Sequence, residues 1–271
     1  MVRALLIRGM LAGVLAGLLA FGFAKIFGEP QVDHAIAFEA LLDRAKSHTD
    51  ASKAASGASD MSSMNMSGGM SMSNTEAAEP ELVSRQTQAG LGLFTGVVVY
   101  GAAFGGLFAL VFAFAYGRIG SLSPRATAAL LAGAAFLALV VVPGIKYPAN
   151  PPAVGHPETI GERTGFFLVM IIASIAALVI AAWVGRRLAP RLGDWNASFV
   201  GGAVFIVLVA IVQILLPAIN EVPEQFPAVL LWRFRIASLG IEAILWTTIG
   251  LVFGVLAEKV LARGRWSPSY A

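Results

Sequence analysis

The chain has 271 residues, of which 57% are apolar and only 13% charged, with a net charge of +3. A soluble domain carries nearer a quarter of charged residues, so a water-covered globule is excluded and an integral membrane protein is specified. The absence of cysteine excludes disulfides, zinc–thiolate sites, iron–sulfur clusters and cysteine nucleophiles, and so small a net charge leaves no footprint for nucleic acid.

A helical crossing needs roughly 20 apolar residues, and six stretches meet or approach that length: residues 5–27, 91–116, 126–143, 165–184, 198–217 and 236–257. They predict an all-α polytopic bundle forming one membrane domain over residues 1–271. In the first stretch Arg3 and Arg8 precede the apolar run and Gly22-Phe23-Ala24 loosely fits a signal cleavage site. The run is long for a signal segment, however, and carries Gly9, Gly13 and Gly17 at four-residue spacing. Such a stripe lets a helix pack closely on a neighbour in lipid, so the segment is expected to remain as a span.

Lys and Arg set the direction. The N-terminus, residues 117–125, residues 185–197 and the C-terminal tail hold ten basic residues against Asp194 and Glu258. The remaining loops hold nine basic residues against thirteen acidic ones. Both termini are therefore expected in the cytoplasm, and the protein in the inner (plasma) membrane.

The first outward segment opens at Gly28-Glu29-Pro30, read as a turn, followed by a short amphipathic helix through Asp33 and His34 toward Lys46. Residues 47–80 are low in complexity, rich in Ser, Ala, Gly and Asn, and are expected to be a disordered tether. Five methionines, Met61, Met64, Met66, Met70 and Met72, lie in it, with His48 upstream. Two readings stand for them: thioether donors for a soft cation such as Cu(I), or compositional drift in a linker.

The second outward loop contains Pro143, Pro148, Pro151, Pro152 and Pro157, a stiff extended backbone, and ends on His156, Glu158 and Glu162. The third, residues 216–229, carries Pro217, Asn220, Glu221, Pro223, Glu224 and Pro227. Proline-broken backbone beside a membrane often lines a transporter's binding site. The three acidic elements are expected to converge at a cation entry, with Glu29, Asp33, Asn220 and Glu221 its main donors against the alternative of solvated acids paired with Arg163, Arg233 and Arg235. Glu242 lies inside the last stretch, where a carboxylate marks a functional site by default; otherwise it pairs with Arg233 or Arg235, or stays protonated. Gln213 reads as an interhelical hydrogen bond, and Lys146 and Tyr147 as interface residues.

The Arg-Gly-Met-Leu-Ala-Gly opening at residues 8–13, Phe27-Gly28-Glu29-Pro30-Gln31-Val32-Asp33, Lys146-Tyr147-Pro148-Ala149-Asn150-Pro151-Pro152, Asn220-Glu221-Val222-Pro223 and Leu231-Trp232-Arg233-Phe234-Arg235 together resemble the CbtA family of predicted cobalt transporter subunits. The resemblance skips only residues 47–80. It implies Co(II) import with a small single-span CbtB-like subunit. The family is usually described with about five spans and a histidine-rich loop, whereas this chain offers six stretches and, in that loop, His34 and His48 with methionine beside them. Co(II) favours nitrogen and oxygen donors, so Cu(I) and Ni(II) stay open as cargo. An accessory copper-handling membrane protein without a conduction pathway stays open as the alternative function. No permanently bound cofactor and no catalysis are expected, since the chain has no G-x-x-x-x-G-K-[ST], H-E-x-x-H or G-x-S-x-G segment.

Overall fold

The computed structural model describes residues 2–59 and 83–265. Among them the secondary structure is helical. Helix α1 (Val2–Phe23) runs through a π turn at Ala24–Gly28 directly into α2 (Glu29–Ser59). The turn expected at Gly28-Glu29-Pro30 is therefore absent. Proline lacks an N–H and clashes with the carbonyl four residues back; the wider π turn just before Pro30, closed by Glu29 N–H on Ala24 O, relieves both problems without ending the helix. Helix then continues to Ser59, past the start of the expected tether at residue 47; the five methionines lie outside the described residues.

A short helix α3 (Arg85–Thr87), a π turn at Gln88–Gly92 and α4 (Leu93–Ala115) form the next rod. Helix α5 (Pro124–Phe136) starts at an N-cap, Ser123 accepting from Ala126 N–H at 3.2 Å with Pro124 in the first turn. A third π turn, Leu137–Val141, leads to α6 (Val142–Lys146). Helices α7 (Ile160–Leu215) and α8 (Ala228–Arg265) complete the chain.

Five helices among the described residues are long and apolar enough to cross a bilayer. The expected fourth and fifth spans both fall in α7, whose 56 residues are not one rod. Gly193, at φ 77° and ψ 158°, breaks the helix in a conformation that side chains with a β-carbon rarely adopt. The arms then lie side by side and antiparallel: a β-carbon built on Gly185 would sit 3.3 Å from Ala197 O, and one on Gly201 2.9 Å from Ala181 O.

Helices α1, α4, α5 and α8 share the main core, where alanines of α1 and α5 (Ala12, Ala16, Ala20, Ala128, Ala132) leave room for Phe108, Phe112, Trp246 and Phe253. Phe253 meets Phe108 and Phe112 edge to face at 5.4 and 5.0 Å between ring centres. The Gly9/Gly13/Gly17 stripe faces Gly101 and Gly105 of α4. A β-carbon on Gly9 or Gly13 would overlap the carbonyl oxygen of Gly105 or Gly101, and one on Gly17 would lie 2.8 Å from Val97 O. A second close seam sets Gly250 and Gly254 of α8 on Ala132 and Ala128 of α5.

Two outcomes follow. Gly13→Leu or Gly105→Val should destabilise the protein by at least the ~1–3 kcal/mol of core overpacking, read as a lower melting midpoint in detergent. Gly96→Ala, where nothing lies within 4 Å of a β-carbon, should melt like the parent. If both arms of α7 cross the bilayer and both termini are cytoplasmic, a cytoplasm-active reporter fused at Ala271 gives signal and one inserted near Ser56 does not; the reverse pattern refutes that sidedness.

Candidate functional site

The three elements predicted to meet do meet. Ala35 and Phe38 of α2 pack with Val154 of the proline loop and Val222 and Phe226 of the third loop, and the Phe38 and Phe226 rings meet edge to face at 5.2 Å. Hydrogen bonds fix the loops to the helix ends. Lys146 Nζ donates to Gln213 O (2.7 Å), Gln213 Nε2 to Val142 O (3.0 Å), and the Tyr147 hydroxyl to Pro217 O (2.9 Å). Arg235 donates to Ala149 O and Asn150 Oδ1 (3.3 and 3.1 Å). Gln213, Lys146 and Tyr147 thus join helices and loops by bonds to backbone carbonyls.

The acids on these elements do not share a centre. Arg85 Nη2 lies 2.7 Å from Glu29 and 3.0 Å from Asp33, so one guanidinium bridges two carboxylates one turn apart on α2. Glu29 is only 12% exposed and Asp33 63%. Glu221, 10% exposed, accepts from Arg163 Nη1 at 2.7 Å and from His156 N–H at 2.9 Å. The nearby Thr159 hydroxyl, the His156 amide and the Arg163 guanidinium hold its carboxyl down at about 2. The Thr159 proton itself is directed at His156 O, 2.9 Å away.

His156, Glu158, Asn220 and Glu224 are exposed on the loops and Glu162 is exposed in the first turn of α7. His34 lines a groove of about 270 Å³ with Gln31, Leu230 and Arg233. Among the described residues no three His, Asp or Glu side chains stand close enough together to hold a metal ion. The expectation of convergence therefore holds for the elements and not for the acids as a ligand set. The pairing with Arg163 is as the solvated-acid alternative anticipated, but Arg233 and Arg235 take no acid partner in the structure's ion pairs. Arg85, the residue that clamps Glu29 and Asp33, was missed; its position as the one basic residue between the low-complexity tract and the second apolar stretch was the available signal.

Inside this face lies a cavity of about 150 Å³ at the first π turn, lined by Gly28, Glu29, Leu93, Phe234, Ser238 and Ile241 among others. One turn further along α8 from Ser238 is Glu242. Its Oε2 is shut off from solvent and has no hydrogen-bond partner, and neither has Trp246 Nε1, one turn further on. Neither Arg233 nor Arg235 pairs with Glu242: Arg235 is held by the proline loop.

A family model described as probable cobalt transporter subunit (CbtA) matches residues 2–258. No curated protein and no solved structure matches the chain. A match over nearly the whole length shows membership: the chain belongs to the CbtA family, a multi-pass membrane protein of a transporter-subunit family.

The Glu221 clamp has a defined pH behaviour. Folding lowers this carboxyl from its ordinary 4.5 to about 2, so its contribution is complete above about pH 4.5 and is lost only as the pH falls toward 2. Glu221→Gln should therefore lower the melting midpoint in detergent by the same amount at pH 5 and at pH 8. A gap that changes across that range refutes the assignment of an ionised clamp.

Proposed function

We propose that this chain is the multi-span subunit of a Co(II) uptake system, working with a small single-span CbtB-like subunit in the plasma membrane. The observation that carries the reading is the family match over residues 2–258. The acid-rich end, with α2, the proline loop and the third loop, faces outward, and the basic end faces the cytoplasm, where short positively charged loops are retained.

Carboxylates at the outward face raise the local concentration of divalent cations. Glu29 and Asp33 are the first fixed donors, with His34 on the same helix. Arg85 bridges the two carboxylates, and a divalent cation, with twice the charge and oxygen or nitrogen preference, takes its place between them. Asn220, Glu221, Glu224, His156 and Glu158 add donors around the same mouth, and the methionines of residues 61–72 collect cations at low supply. The chain carries no phosphate-binding loop motif, so the driving force comes from an ion gradient, the membrane potential or a separate ATPase.

Uptake of cobalt, nickel, copper and zinc by cells carrying the chain with its single-span partner, against an empty vector, tests the cargo; cobalt should be enriched severalfold over the control. Glu29→Ala should cut that uptake severalfold at normal membrane abundance. Arg85→Gln separates the two roles of Glu29: as a cation donor Glu29 stays functional without Arg85, whereas as an ion-pair anchor it fails equally in both variants. Unchanged uptake in Glu29→Ala refutes the entry site.

A further inference from the structure

We infer that Glu242 is an intramembrane exchange site, carrying a proton at rest and releasing it when a divalent cation arrives from the cavity beside Glu29. The inference rests on the cation-transport reading above and adds its coupling ion.

The geometry has three parts. Ser238, Glu242 and Trp246 stand one turn apart on one face of α8, with i, i+4 spacing. Ser238 lines the 150 Å³ cavity together with Glu29, and Ile241, the neighbour of Glu242, lines it too. The face therefore begins at the cavity and ends in the four-helix core, where Trp246 is 4% exposed and meets Phe104 edge to face at 5.9 Å. An ionised carboxylate placed there needs a counter-charge, and the described residues supply none. Arg235 is directed to Ala149 and Asn150 and Lys25 to Ala89 O at 3.0 Å. Arg85 is held by Glu29 and Asp33.

The groups that face Glu242 are few. Tyr100 of α4 stands within electrostatic reach of its carboxyl. The Trp246 indole N–H lies alongside and is the donor nearest to the carboxyl. Glu29 of α2 lines the cavity that Ser238 and Ile241 also line, and α1 contributes no ionisable group at this level, its Arg3 and Arg8 lying at the other end. None of these is a cation.

A carboxyl in such a place is neutral, because burying an unpaired charge costs far more than binding a proton. A divalent cation reverses the balance. The Glu242 O–H bond breaks, the carboxylate takes the cation as its partner, one proton leaves through the cavity for each cation seated, and Glu29, which lines that cavity, answers the cation's second charge. The orphaned Oε2 is the acceptor left open for that cation.

Dicyclohexylcarbodiimide attacks protonated carboxyls in apolar surroundings and leaves ionised surface carboxylates alone, so it reads this state directly. The full chain in lipid nanodiscs, treated at pH 7 and mapped by mass spectrometry, should be modified at Glu242 well above every other acid. Cobalt chloride added beforehand should suppress the modification severalfold, and magnesium chloride should not. An unmodified Glu242, or one whose modification no divalent cation changes, overturns the exchange site. Suppression by nickel or zinc but not by cobalt sustains the exchange site and refutes the cobalt reading, so the two fail separately.

Discussion

Helices in lipid gain little from burying apolar side chains, because the tails around them are equally apolar, and close backbone contact must hold them instead. The α1–α4 seam meets that constraint and sets the register of the end that carries Glu29 and Arg85. Gly9 lies against Gly105, Gly13 against Gly101 and Gly17 against Val97. The same four-residue step then continues: Lys25 donates to Ala89 O and Arg85 to Glu29. One antiparallel register thus runs from the glycines to the ion pair at the mouth. It survives two π turns because they lie at the same level, Ala24–Gly28 on one rod and Gln88–Gly92 on the other, so the extra residue in each is matched by its neighbour.

Each π turn interrupts the regular ladder and leaves backbone carbonyls short of a donor, which lipid cannot supply. Side chains from another helix fill these positions. Lys25 bonds Ala89 O in the second π turn. Ser174 of α7 bonds Ala138 O in the third, and Gln213 bonds Val142 O just after it. The last two, with Lys146 on Gln213 O, join the α7 arms to the third rod. Polar side chains in these spans are therefore interhelical fasteners, which is why α7 can attach along one rod while most of its apolar surface faces outward.

The all-helical bundle was legible because apolar runs of the required length leave few alternatives, although two of the six expected stretches fall in the single helix α7; the glycine stripe of α1 was legible from its spacing. Its partner on α4 carried the same signal in Gly101 and Gly105, but an apolar run gives no indication of which helix it meets. The helical passage through Gly28-Glu29-Pro30 was not legible, since Gly-Glu-Pro reads as a stop unless a π turn widens the backbone. The mouth was half legible. Acidic loops stood out by charge, yet their partners, Arg85 fifty-six residues from Glu29 and Arg163 fifty-eight from Glu221, depend on contacts that local sequence does not encode.

The carboxylates of this protein fall into two kinds, and the division follows from where arginine can reach. Glu29 and Glu221 are nearly as shielded as core residues, yet each has a guanidinium at 2.7 Å and is part of a fixed framework. Glu242 is on the same side of the bundle, one turn below the cavity that Glu29 lines, and has no such partner. Arg235, two turns earlier on the same helix, donates to two oxygen acceptors of the proline loop. That loop is held by Tyr147 on Pro217 O and by the Val154–Phe226 cluster, so Arg235 stays committed to it. A protein built only for stability gains nothing from a lone carboxyl in its interior, since a leucine of similar size packs there without the desolvation cost. That lone carboxyl is the observation on which the proposed exchange site rests.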